Sequence, residues 1–177
     1  MDRVLPKAGY RQWVLSYPRK LRLILACNAG AAGESTRIFL REVFRHQRRQ
    51  AKRAGLSKPR VGAVCFTQRF GARVNLNLHH HALLPEGVFV EVAGEVCFEK
   101  LEPPERVDLE EMLERIVTKT LTMLRRRGLL EAEPDADDAL AGMQREAVQL
   151  GLPLPLWPSP PKGLAAFFER PGLRMST

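Results

Sequence analysis

Cysteine is scarce in this chain of 177 residues, and the three present, Cys27, Cys65 and Cys97, are widely spaced with no Cys-x-x-Cys pair. That excludes a disulfide framework and a zinc ribbon, and suggests reduced thiols in a cytoplasmic protein. No apolar run approaches the roughly 18 residues of a membrane span. The start, "MDRVLPKAGYRQW", lacks the apolar stretch of a secretory signal. Aromatic residues make up only 7% of the chain, with tyrosine at positions 10 and 17 alone, and no RNA-recognition consensus is present. Acidic residues are nearly missing from the first 74 positions, where 3 Asp and Glu face 17 Lys and Arg. The remainder carries 17 acids against 11 bases, leaving a net charge of +8. Such asymmetry predicts one strongly basic surface, for which nucleic acid is the commonest partner.

What is present suffices for a core. Hydrophobic residues form 45% of the chain, which excludes disorder by composition. Residues 1–150 read as one domain, and 151–177, with "LPLPLWPSPPKG", as a Pro-rich extended tail. "RQWVLSYP" (11–18) predicts a strand in which Trp13, Leu15 and Tyr17 alternate with Gln12, Val14 and Ser16. A short helix over 19–28 follows, then a longer one from about Ser35, buried through Phe39, Leu40, Val43 and Phe44. Its second half, "RHQRRQAKR", is almost wholly polar and basic, and Gly55 ends it. Four strands come next: 60–71, 73–84, 88–92 and 95–101, the last two as a hairpin over Ala93–Gly94. A helix capped by Asp108 carries Leu109, Met112, Leu113, Ile116, Val117, Thr120, Leu121 and Leu124 along one face. Another helix is expected over about 136–150. The sum is α+β: an antiparallel sheet of about four to five strands, the histidine strand central, with helices packed on one face.

Three of the four histidines stand together in "NLNLHHHALLPEG" (75–87). On a strand, His79 and His81 share one face and His80 points the other way. Two imidazoles at i and i+2 lie near enough to grip one divalent ion, and amide or water oxygens would complete a shell suited to Mn or Mg. Asn75 and Asn77 extend that face, and Gln68 on the preceding strand is a third ligand if the register brings it alongside. A polar surface strand without a metal would show the same alternation.

The blocks "YRQWVLSYPRKLRLILA", "FTQRFGARVNLNLHHHALLPEGVFV" and "LTMLRRRGLL", in that order over roughly residues 3–150, resemble the two-tyrosine HUH transposases of rolling-circle insertion sequences and their common-region relatives. The resemblance implies an HUH-endonuclease-like sheet, with His79 and His81 holding a divalent metal that polarises a scissile phosphate of single-stranded DNA. In that family a downstream tyrosine attacks the phosphate and forms a 5′-phosphotyrosine link. This sequence departs from the pattern in three places. His80 replaces a hydrophobic residue, both tyrosines lie upstream of the histidines, and no Cys-rich segment precedes "RQWVLS".

The expectation is therefore a transposase fragment without the zinc segment or the tyrosine region. It would bind Mg or Mn and the single-stranded DNA of mobile-element ends, with strand nicking and transfer lost. Arg37, Arg41, Arg45, Arg48, Arg49, Lys52 and Arg53 are the expected phosphate contacts. Two other readings remain: a non-enzymatic nucleic-acid-binding protein, and a metal-dependent phosphodiesterase using water. The second wants a carboxylate base, and the nearest acids, Glu86 and Glu91, sit past the turn.

Overall fold

The first strand, β1 (Tyr10–Ser16), buries Trp13 and Leu15 on the side where the following Tyr17 also points, as its alternation predicts. The computed structural model describes Leu5, residues 8–71 and 75–130, and the backbone of 149–150. Pro18 stops the strand, and α1 (Arg19–Cys27) begins at once, burying Leu21 and Leu25. Asn28 then serves both helices. It ends α1, and its side chain accepts from Ala31 N at 2.9 Å to cap α2 (Ala29–Arg53). The long helix thus starts six residues earlier than expected from Ser35, because Asn28 is both a stop and a start.

Next come β2 (Val64–Phe70), β3 (Leu76–Pro85), β4 (Gly87–Val92) and β5 (Glu95–Lys100). The histidine strand β3 is central, antiparallel to β2 on one edge and to β1 on the other. The strands do not form the single four-strand run suggested by their order, since β4 and β5 make a separate two-stranded sheet. The reason is geometric. A strand has two edges, and β1 has already taken the edge of β3 that β4 would need, pairing Tyr10 with Pro85 through Ser16 with His79. The chain bends at Glu86, whose N–H donates to Gly9 O at 2.8 Å while its carbonyl accepts from Leu101 N at 2.9 Å. The hairpin over Ala93 and Gly94 is as expected, both residues having positive φ, 52° and 86°.

Helix α3 (Arg106–Arg126) buries the predicted stripe from Met112 to Leu124, with Leu109 half-buried. Its cap lies three residues before Asp108. Glu105 is the N-cap, and Asp108 returns a bond to the Glu105 N–H at 3.3 Å, so Asp108 closes a capping box that it was expected to open. All three helices pack on one face of the large sheet, around Trp13, Leu15, Tyr17, Leu78, Ala82 and Leu84. A smaller cluster joins Ala51 of α2 to Val88, Val90 and Leu101. Residues 149–150 pair with Trp13 and Val14 as β6 (Gln149–Leu150), so these two are strand where helix was expected. The rest of that expected helix and the Pro-rich tail lie outside the described residues. No described helix is long and apolar enough to cross a membrane. The three cysteines are unpaired.

Gly87 marks a close approach between strands. A Cβ there would sit against the Glu99 carbonyl oxygen and 2.9 Å from both Glu99 C and Lys100 Cα, all backbone atoms that cannot swing aside. Gly87→Ala is expected to destabilise by about 3 kcal/mol, measurable as a shifted urea midpoint.

Candidate functional site

Alternation along β3 separates the three histidines. His80 is wholly buried among the helices, and its ring nitrogens face Ser35 Oγ at 3.0 Å and Thr67 Oγ1 at 2.8 Å, with Thr36 Oγ1 at 3.3 Å. Tyr17 meets it edge-on, ring centroids 5.4 Å apart. Burial, and secondarily the neighbouring His79 and His81, holds the His80 pKa down to about 4. This histidine is a neutral, hydrogen-bonded core residue, as its orientation predicts.

His79 and His81 stand side by side on the opposite face, ring centroids 4.6 Å apart. His79 Nδ1 lies 2.5 Å from Asn77 O, so the proton sits on Nδ1 and the Nε2 lone pair remains for a ligand. Gln12 Nε2 lies 2.7 Å from His81 Nδ1. The Gln12 amide can turn end for end. Its oxygen would then accept from Nδ1–H and leave His81 Nε2 as the ligating atom. Burial, then His79, lowers the His81 pKa, which keeps that imidazole neutral. Phe66 stacks on His81 at 4.7 Å with planes 10° apart.

Gln68 lies directly opposite His79 in the β2–β3 register, as the expected third ligand must. Its Nε2 donates to Phe70 O at 2.9 Å, which leaves Oε1 as the end that can face a cation. Two imidazoles and one carboxamide are the donors this face presents, all of them neutral. Among the described residues no cluster of three His, Cys, Asp or Glu could hold a metal, so carboxylate reinforcement is missing. Glu91, one of the acids considered as a base, pairs instead with Arg60 at 3.1 Å on the separate hairpin.

The two tyrosines fare differently. Tyr17 is fully buried on the helix side of the sheet, and burial pushes its pKa far up. Tyr10 shares the face of His79 and His81 by alternation. Its partner Pro85 is four positions along β3 from His81, about 13 Å at strand rise, beyond side-chain reach of the pair.

The seven cations expected to touch phosphate are all exposed on α2. Arg45 reaches Glu42 at 3.8 Å, and Arg48 lies over the Phe44 ring at 5.8 Å. Helix α2 meets the sheet through Ser35 and Thr36 at His80, on the face away from His79 and His81. The cations and the histidine pair are therefore on opposite sides of the sheet. Sequence reasoning foresaw both groups but could not relate them, because the relation depends on which face α2 covers.

The face around the pair has three features that position alone did not flag. Gln12 orients His81, Phe66 stacks on that ring while 52% exposed, and Phe70, 54% exposed, pairs with Leu76 further along β2 past a register shift. Their signal was present in the alternation of β2, where Phe66, Gln68 and Phe70 share a parity. No described residue of this face belongs to either buried cluster. Comparison with family models, curated proteins and solved structures found no match.

Proposed function

We propose that the chain is a transposase core of the two-tyrosine HUH type. It binds single-stranded DNA on its open sheet face and a divalent ion at His79, His81 and Gln68. The observation that carries this reading is the histidine pair itself, with the His79 Nδ1 proton directed to Asn77 O and Gln68 in register beside it. A bound Mg or Mn would supply Lewis-acid polarisation of a phosphate oxygen. The protein's own part is to orient the ligating nitrogens, through Asn77 O at His79 and Gln12 at His81. Exposed Phe66 and Phe70 offer rings on which unpaired bases stack. Covalent strand transfer needs a nucleophile at the polarised phosphate, and neither Tyr10 nor Tyr17 is within reach. The function best supported is DNA binding with metal, without nicking by these residues.

Calorimetric titration of Mn into the wild type should show a weak binding heat that His79→Ala/His81→Ala abolishes. Equal heats for the two proteins would eliminate the site. The heat should fade on acidification as protons compete for the lone pairs. Because the His81 pKa is lowered, its share should persist to lower pH than an ordinary imidazole allows.

A further inference from the structure

We infer that the outer face of α2 is a separate binding site for the phosphate backbone of duplex nucleic acid, distinct from the single-strand face on the far side of the sheet. Arg37, Arg41, Arg48 and Lys52 recur at intervals of four, seven and four on one continuous helix, so they line up along a single edge about 22 Å long. All four are exposed, and none forms an ion pair among the described residues. That distinguishes them from the neighbouring cations of α3 and its C-cap. Arg115 and Lys119 are taken by Glu42, and Arg126 and Arg127 by Glu34. The α2 edge thus carries four cations without a close ion pair in the described fold, Glu34 acting on Arg37 only as a more distant charge.

The chemistry of this edge selects duplex over single strand. Single-strand sites combine cations with aromatic platforms for bases. Along this edge the nearest ring, Phe44, is half-buried and covered by Arg48. A straight cationic row without a stacking surface matches a ligand whose bases are already stacked inside. Duplex also presents about one phosphate charge per 1.7 Å of axis, twice the density of one strand. With α2 lying between this edge and the sheet, one nucleic-acid segment cannot touch both surfaces directly. A duplex on α2 and a single strand on the sheet can be held together.

The duplex inference stands without the metal reading, and only joint occupancy rests on the sheet-face proposal. The test uses the full chain, a 30-base-pair duplex of arbitrary sequence and a 30-nucleotide oligothymidine. The variant Arg37→Gln/Arg41→Gln/Arg48→Gln/Lys52→Gln, checked for an unchanged melting curve, should bind duplex at least about 30-fold more weakly at low salt. Its log affinity against log salt should be shallower by about 3 to 4, the loss of four phosphate contacts. Oligothymidine affinity should change less than about threefold, since stacking on the sheet is untouched. An unchanged duplex salt slope, or equal losses for both probes, would overturn the inference. So would stoichiometric displacement of bound duplex by oligothymidine. Phe66→Ser/Phe70→Ser should weaken oligothymidine and spare duplex. If it leaves oligothymidine binding intact, the sheet-face reading fails while the α2 site stands.

Discussion

Acidification from pH 7 to pH 4 is expected to remove about 3 kcal/mol of folding stability through His80 alone. The pKa of this imidazole is near 4 in the folded protein, against about 6.5 in an unfolded chain. Above pH 6.5 both states are neutral there and the contribution is fully present. Between 6.5 and 4 the unfolded chain takes up a proton that the folded chain refuses, so stability declines across that window. Below 4 the loss levels off. The physical cause is a site with hydroxyl partners at Ser35, Thr36 and Thr67 but no carboxylate to receive an imidazolium. His80→Ala should cost about 3 kcal/mol at pH 7, from the vacated volume and the lost hydrogen bonds. It should also flatten the pH dependence between 4 and 6.5. Urea unfolding of both proteins at several pH values measures each effect. A wild-type stability that is level from pH 7 to 4 would contradict the neutral core histidine.

Incubation with an end-labelled single-stranded oligonucleotide and Mn should yield no covalent protein–DNA adduct, although the oligonucleotide binds. The hydroxyl of Tyr17 is buried on the helix side of the sheet, and its raised pKa disfavours the phenolate at neutral pH. Tyr10 faces the same side as His79 and His81 but is displaced along the strand by about 13 Å. A nucleophile must come within about 3.5 Å of the phosphorus to react. Denaturing electrophoresis reports the outcome directly. A labelled protein band that disappears in Tyr10→Phe would show that β1 moves to bring this ring to the histidines. One that disappears in Tyr17→Phe would show that the sheet opens.

Residues adjacent in sequence supplied most of what could be read without coordinates. Alternation assigned Trp13, Leu15 and Tyr17 to one face, and His79 and His81 together against His80. The stripe from Leu109 to Leu124 was equally plain, because a 3–4 spacing has one amphipathic solution. The second half of α2 was read as almost wholly polar and basic, yet Glu42, His46, Gln47 and Ala51 are buried within or beside it. Each has a partner far along the chain. Glu42 takes Arg115 at 2.9 Å, His46 lies 3.8 Å from Asp108, and Gln47 donates to Pro85 O at 2.9 Å. Nothing local in the sequence marks such positions, since a polar residue tolerates burial only through the group that meets it.

Tertiary structure alone decided two matters that arrange the candidate site. Pairing of β1 with β3 occupies the edge that the next strand would have used, and so makes β3 central and sends β4 and β5 elsewhere. Packing of α2 onto the His80 side then puts His79, His81 and Gln68 on the face that no described helix covers and turns the basic edge away from them. Side-chain parity belongs to the sequence, because a strand's geometry repeats every two residues. Which parity meets a helix depends on contacts between segments separated by more than 40 residues, and local patterns do not encode that distance.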